Sequence, residues 1–218
     1  MLDDACSLFA VQRSWLDGAE DRVFPIHRFY KQPREFAEFL ITLKTASLDE
    51  DIAGVVLATI DPTPGSNALL VLHETVGWIG DKAIYRYYFC DEWVLRYWKS
   101  RAYLTACVAI AWRQNVFIHG VFLDKQRLQQ LAAGRALPSW SEKGIWAFGV
   151  KQWDPEDMAL RPEVFLDGLD SETDSHGHKE ALKLWLNLFD AGHMNTGLGM
   201  YSGDEIRLAF SHALEQID

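Results

Sequence analysis

Three apolar segments follow one another closely between residues 52 and 89, and they constrain the fold more than any other feature of the sequence. Residues 52–60 and 68–76 are rich in β-branched and aliphatic residues, and residues 83–89 place three aromatic side chains on one face. The loop PTPGSN separates the first two segments, and two glycines separate the second from the third. Runs of this kind bounded by turn residues are typical of strands, and short connections favour antiparallel pairing. We therefore expect three consecutive antiparallel strands.

Two helices are predicted to flank these strands. Pro33 suits the first position of a helix, and apolar residues recur after it at helical spacing. Asp91 is predicted to cap a second, long helix that runs to about Gln114 and buries both Trp98 and Val108. The sequence therefore places one helix before the three strands and one after them.

The chain then alternates between strand and helix. Residues 116–122 and 145–150 have the composition of strands, and Asp124 is expected to cap a helix that ends at Gly134. A helical crossover between strands permits parallel pairing. The sequence thus predicts an α+β fold with a mixed, mainly antiparallel sheet flanked by helices.

The C-terminal part of the chain is predicted to be helical. Residues 179–189 and 203–217 have the apolar periodicity of amphipathic helices, and Ser202 with Glu205 has the spacing of a capping box. These helices should dock on the rest of the protein through their apolar faces. The residues expected on those faces are Leu182, Leu186, Phe189, Ile206, Phe210 and Leu214.

The net charge of −10 is unevenly distributed along the chain. Residues 1–81 carry 6 basic and 13 acidic residues, residues 82–151 carry 11 and 4, and residues 152–218 carry 4 and 14. Both the sign of the charge and the predicted secondary structure change near Trp153. We therefore divide the chain into an α+β body, residues 1–153, and a helical acidic segment, residues 154–218, packed on the body within one domain overall.

One polar stretch, residues 167–180, is the candidate metal site. The four candidate ligands are Asp170, Asp174, His176 and His178. A zinc site needs about four ligands, of which His176 and His178 can supply two, whereas the stretch lacks the glycine and glutamate positions of a calcium loop. We expect no cofactor other than such a metal, which would make residues 170–178 the centre of a metal-dependent hydrolase.

Charged residues on both sides of the charge boundary are candidates for binding a macromolecule. The basic segment is also rich in aromatic residues, and the acidic stretch lies in the helical part of the chain. Complementary charge would steer a protein partner with a basic surface toward the acidic stretch. The overall acidity argues against a nucleic acid as partner. The candidate binding residues are Arg96, Lys99, Arg101, Asp170, Glu172 and Asp174.

Several features favour a cytoplasmic protein without a membrane partner. The longest strongly apolar stretch, residues 104–112, is much shorter than the roughly 20 residues of a membrane span. The acidic residues of the opening MLDDACSLFA are not typical of a secretory signal. Three cysteines without a C-x-x-C spacing are typical of reduced thiols.

The order helix, three strands, long helix, strand, helix, strand over residues 33–150 is similar to that of the GNAT acyltransferases. The family binds the pyrophosphate of acyl-coenzyme A with backbone amides of an [RQ]-x-x-G-x-[GA] turn that opens the long helix. The corresponding stretch here, CDEWVLRYWKSRAY, contains no glycine. The resemblance therefore implies at most a degenerate acyltransferase-like enzyme.

The sequence leaves two classes of function open. The one we favour is a cytosolic macromolecule-binding protein, inhibitor-like or immunity-like, that acts without catalysis. Nine tryptophans supply residues that often anchor interfaces. The alternative is an enzyme, either the degenerate acyltransferase or the hydrolase with a metal at residues 170–178.

Overall fold

The computed structural model describes residues 2–47, 51–59, 67–136, 151–169, 176–199 and 201–217. The helices within these residues are α1 (Leu2–Phe9), α2 (Arg13–Leu16), α3 (Pro33–Ala46), α4 (Trp98–Arg113), α5 (Lys125–Ala132), α6 (Asp157–Leu160), α7 (Pro162–Leu166), α8 (His176–Asp190) and α9 (Gly203–Glu215). The strands are β1 (Ile26–Arg28), β2 (Ile52–Thr59), β3 (Asn67–Ile79), β4 (Lys82–Val94), β5 (Ile118–Leu123) and β6 (Lys151–Trp153).

The strands described form one mixed sheet with the order β1-β4-β3-β2-β5-β6. Strands β2, β3 and β4 pair antiparallel, as the three consecutive apolar segments predict. Strand β1 is parallel to β4, β5 is parallel to β2, and β6 is antiparallel to β5. Three of these five pairings are antiparallel, so the predicted α+β class with a mixed, mainly antiparallel sheet is confirmed.

The centre of the sheet is buried on both faces. Strand β2 lies between β3 and β5, and its residues Val56 and Leu57 enter apolar clusters on opposite faces of the sheet. Helices α3 and α4 cover one face. Residues Val23 and Phe24, together with α5, cover the other. This two-sided cover explains why β2 is a continuous apolar run rather than an alternating one.

Helix α4 has more buried residues than any other helix of the described chain. Eleven of its sixteen residues are buried, and they lie on all sides of the helix. Leu104 and Val108 pack toward the sheet, whereas Ala102 and Ala106 pack toward the C-terminal helices. Small alanine side chains let a neighbouring helix approach closely. Helix α4 therefore belongs to two apolar clusters at once.

The C-terminal helices pack against α4 through the faces that the sequence predicts. Trp185 of α8 stacks on Phe210 of α9, with ring centroids 3.5 Å apart and planes within 5°. Ser202 and Glu205 form the predicted capping box at the start of α9. Every residue predicted for these apolar faces belongs to the cluster or packs against it, namely Leu182, Leu186, Phe189, Ile206, Phe210 and Leu214.

The predicted start of the long helix at Asp91 is wrong. Strand β4 continues to Val94 because its end pairs with β3 on one side and β1 on the other, where Asp91 lies opposite Arg28. Trp93 is fully buried, and its Nε1 donates a hydrogen bond to the carbonyl of Cys90, 2.9 Å away. Tertiary pairing keeps this segment extended, and the helix begins only at Trp98.

Other predicted boundaries are close to those observed. Pro33 begins α3, and Asp124 caps α5 by accepting a hydrogen bond from the backbone of Arg127. The strand predicted at 145–150 lies outside the described residues. In the neighbouring β6, the indole of Trp153 lies so close to Gly120 of β5 that a Cβ at Gly120 would come within 2.5 Å of it. Only glycine therefore fits there without displacing the ring.

Across the described ranges, no helix has both the length and the apolar character needed to span a bilayer.

Candidate functional site

A surface groove of about 430 Å³ forms where three parts of the chain meet. These parts are the turn before α3, the first turns of α4, and one face of α8. The groove is lined by residues that include Lys31, Trp98, Lys99, Tyr103, Lys183 and Asn187. We refer to it as the α4–α8 groove.

Aromatic rings form much of the wall of this groove. Tyr103 lines it, and its ring meets Tyr30 edge to face with centroids 5.9 Å apart. Burial raises the pKa of Tyr30, and the neighbouring hydroxyls of Tyr97 and Tyr103 raise it further. Trp98 contributes its indole from the first turn of α4. The groove therefore presents flat, polarisable surfaces.

Two lysines of the groove lie over aromatic rings. The Nζ of Lys99 is 4.9 Å from the ring centroid of Trp98, and the Nζ of Lys31 is 5.0 Å from that of Tyr30. Both distances are in the range of cation–π attraction. A third lysine, Lys183, forms an ion pair with Glu180 at 2.8 Å. The groove thus combines positive charge with aromatic faces.

The structure corrects the predicted burial of Trp98. Val108 is fully buried as predicted, but Trp98 is only half-buried because α4 begins at this residue instead of one and a half turns earlier. Its neighbour Tyr97 remains 40% exposed. Part of the basic, aromatic-rich segment is therefore surface and not core.

The three predicted basic binding residues have different environments. Lys99 lines the α4–α8 groove, and Arg96 is half-buried in the turn that joins β4 to α4. Arg101 is only 5% exposed and points into the protein. Its guanidinium donates hydrogen bonds to the carbonyls of Leu95, Phe165 and Asp167. Arg101 therefore ties α4 to the end of α7.

The acidic candidates fall mainly outside the described part of the chain. Asp170, Glu172 and Asp174 lie outside the described residues, and so does the side chain of His176. His178 is half-buried on α8. Among the residues that the structure describes, no three histidine, cysteine or acidic side chains come close enough to hold a metal ion. The metal site and the acidic binding site stay predictions.

The acyltransferase-like alternative needs backbone amides that are available to a ligand in the turn that precedes α4. Ser100 accepts a hydrogen bond from the backbone N–H of Val94 at 2.7 Å, and the carbonyl of Tyr97 accepts one from the N–H of Arg101 at 2.9 Å. These two amides already have partners inside the protein. No glycine in this turn brings the backbone closer to a ligand. The alternative stays a prediction.

A second exposed feature is the hairpin that joins β3 to β4. Pairing of β3 with β2 ends where Glu74 meets Ile52, so the last residues of β3 pair only with β4. At the tip, Trp78 is 63% exposed and Ile79 is 71% exposed. Gly80, with φ of +61°, forms the tight turn between the strands. The hairpin therefore carries two large apolar side chains into solvent.

One buried polar cluster was not predicted from the sequence. Glu74 is 4% exposed, and its carboxylate accepts hydrogen bonds from Tyr88 at 3.0 Å and from Arg86 at 3.3 Å. Burial lowers the pKa of the neighbouring His73 to about 4, so its imidazole is neutral near pH 7. The pairing of Glu74 with Arg86 follows from the register of β3 and β4, which a linear sequence does not display.

Comparison with known proteins does not assign the chain to a family. No protein-family model, curated protein or solved structure matches it.

Proposed function

We propose that this chain is a cytoplasmic protein that acts by binding another protein, in the manner of an inhibitor or immunity protein, without catalysis of its own. The observation that carries the proposal is the exposed tip of the β3–β4 hairpin. Trp78 and Ile79 stand there on a ribbon that extends past the neighbouring strand.

The exposure of these two side chains is costly in water unless a partner covers them. Burial of apolar surface contributes about 25 cal/mol per Å², and tryptophan is among the residues most enriched at the energetic centres of interfaces. The two-residue turn and the paired strands hold the tip in one conformation. A preorganised apolar anchor loses little conformational entropy when it binds.

The charge of the chain indicates what surface the partner carries. The net charge is −10, and residues 152–218 hold 14 acidic residues against 4 basic ones. A partner with a basic surface would approach faster than a neutral one because the opposite charges steer the encounter. We propose Asp170, Glu172 and Asp174 as part of the steering surface.

The cysteines support the proposed cytoplasmic location. All three are free, and Cys90 and Cys107 are completely buried. Burial raises the pKa of both thiols well above the usual range, which keeps them protonated and unreactive. Free, inert thiols are typical of a reducing compartment.

The test begins with capture of the partner from native lysate and continues with both proteins purified. Trp78→Ala combined with Ile79→Ala should weaken binding by about 2 kcal/mol, or roughly thirtyfold in Kd by titration calorimetry, as for the loss of an anchor residue. Leu208→Ala is the matched control, since Leu208 is 55% exposed on α9. Equal affinities of the tip variant and the parent would contradict the proposal.

The steering surface is tested in the same complex. Reversing the charge of Asp170, Glu172 and Asp174 should slow association about tenfold at low salt and leave the stability of the fold nearly unchanged. The same variant should associate like the parent at 1 M salt, where the Debye length falls to about 3 Å. An unchanged association rate at low salt would remove these residues from the interface.

A further inference from the structure

The α4–α8 groove is not used by the function proposed above, which rests on the hairpin tip. Its residues come from three separate parts of the chain, around positions 31, 98–103 and 180–187. None of the three parts needs lysine for packing, because the apolar cluster that holds α4 and α8 together contains no lysine. The lysines of the groove therefore have a role other than packing.

The positive charges of the groove are only partly neutralised by the protein. Lys183 is paired with Glu180. Within the described residues, Lys31 and Lys99 form no ion pair, and each ammonium lies over an aromatic ring instead. In a chain with a net charge of −10, these two lysines converge on a groove whose lining carboxylate, Glu180, is already paired with Lys183, and so they provide a local site for an anion.

The rings of the groove restrict the kind of anion. Trp98 and Tyr103 are half-buried, so each keeps part of its ring open to the groove. An acidic peptide would use the ammonium groups and leave these surfaces unused. A ligand that joins a planar ring to phosphate groups would use both, because aromatic side chains stack on bases while lysines bind phosphate oxygens. The amide of Asn187 adds a donor and an acceptor for the edge of such a ring.

The size of the groove limits the length of the ligand. A volume of about 430 Å³ lies near the lower end of the range for small-molecule sites. The acidity of the rest of the chain opposes a long nucleic-acid strand, which would meet repulsion beyond the groove. Both observations favour one nucleotide unit over an extended strand.

We propose that the α4–α8 groove binds a nucleoside phosphate, either a free nucleotide or one unpaired nucleotide of a single strand. Lys31 and Lys99 leave their rings to bind the phosphate oxygens. The base then packs against Trp98, on the ring surface that Lys99 uncovers, and beside Tyr103.

The experiment uses the full chain, with calorimetric titration of ATP and polarisation of a labelled eight-residue oligothymidylate. The parent should bind at least one of the two. Lys31→Gln combined with Lys99→Gln should weaken that binding at least tenfold, and Trp98→Leu should weaken it by about 5- to 100-fold, the range for loss of one stacked base. Lys125→Gln combined with Lys151→Gln removes the same charge elsewhere and should bind like the parent.

Four outcomes separate the possibilities. Tighter binding of ATP identifies a free nucleotide as the ligand, and tighter binding of the oligonucleotide identifies a single strand; both support the groove. Tripolyphosphate that binds as tightly as ATP would overturn the proposal, because the base would then contribute nothing. Binding of an oligoglutamate peptide without either nucleotide would also overturn it. Since Lys31 is exposed and Lys99 is only partly buried, the circular dichroism of the lysine variants should match that of the parent.

Discussion

Glu156 shows how a single carboxylate makes the stability of this protein depend on pH. It is half-buried at the start of α6, and one of its oxygens is enclosed without a hydrogen-bond partner among the described residues. Burial, together with the nearby negative charges of Asp154 and Asp157, raises its pKa to about 7. The folded protein therefore favours the protonated form of this side chain.

The resulting prediction concerns Glu156→Gln. The stabilising contribution of the protonated carboxyl is complete below about pH 4.5, the unfolded value, and is lost as the pH rises through about 7. Above pH 7 the variant should therefore be more stable than the parent, by about 1–2 kcal/mol once solvent screening of this partly exposed group is allowed for. Near pH 5 the difference should be much smaller.

The measurement is urea unfolding of parent and variant at pH 5 and pH 8. Glu215→Gln, which removes an exposed carboxylate from the same acidic part of the chain, controls for the change in net charge. A difference between the parent and Glu156→Gln that is the same at both pH values would show that burial does not perturb Glu156.

The residues of the candidate site illustrate the limit of sequence analysis at this scale. Lys99 lines the groove, and its predicted role in binding stays a prediction. Lys31 and Lys183 are not predicted, because the turn before α3 and helix α8 bring them beside Lys99 only in the folded protein. Trp98 was placed in the core because its spacing matches the apolar stripe, but it lies in the first turn of the helix. The spacing of apolar residues predicts which face of a helix is apolar. It does not predict how far along that face the neighbouring elements cover the helix.

At the scale of elements, the strands and the long helices are largely predictable and the junctions between them are not. Apolar runs and caps located β2, β3, α3, α5 and α9 to within a few residues. Helix α1, helix α2 and strand β1 were missed because they are short and bury few residues. The same short β1 pairs with the end of β4 and keeps that segment extended. Because β1 is not predicted, the start of α4 is predicted too early in the sequence.

Arg101 connects elements that are far apart in the sequence, and its replacement tests that connection. Arg101→Met keeps much of the side-chain volume but removes the donors to the carbonyls of Leu95, Phe165 and Asp167. We expect a loss of about 3 kcal/mol in the free energy of unfolding, because buried carbonyls would lose charged hydrogen-bond partners. Chemical denaturation measures this directly.

Two further variants show whether the stabilising effect of Arg101 comes from the geometry of its donors or from its charge. Arg101→Lys keeps the charge but cannot reproduce the planar arrangement of donors, so it should recover only a small part of the loss. Arg207→Met removes an exposed ion pair with Asp190 and should change stability little. A parent-like stability of Arg101→Met would mean that α4 and α7 are held together without this arginine.

At the scale of the whole molecule, the two apolar clusters that share α4 predict how the chain responds to truncation. Of the thirteen buried residues in the cluster of the C-terminal helices, only Ala102 and Ala106 come from α4. A chain ending at residue 153 would expose that side of α4 and lose the rest of the cluster. The body would lose the cover of α4 and the hydrogen bonds that Arg101 makes to the carbonyls of Phe165 and Asp167, and we expect these losses to offset most of the 5–15 kcal/mol by which domains are usually stable. We expect this fragment to show no cooperative thermal transition by circular dichroism.

The control is a chain that ends at residue 215, where α9 ends and the following residues are exposed. It should unfold in one transition close to that of the parent. A sharp transition in the fragment of residues 1–153 would show instead that the α+β body folds by itself and that residues 154–218 form a separate unit.

The burial of α4 on all sides also governs how the native protein fluctuates. Residues 104–111 of α4 are enclosed by the sheet on one side and by other helices on the other, so their amide protons reach solvent only when most of the structure opens. Helix α1, which has no buried residue, can detach without disturbing either cluster. Amide hydrogen exchange across this chain should therefore span the full range of opening free energies, fastest at α1 and slowest along Leu104–Ala111.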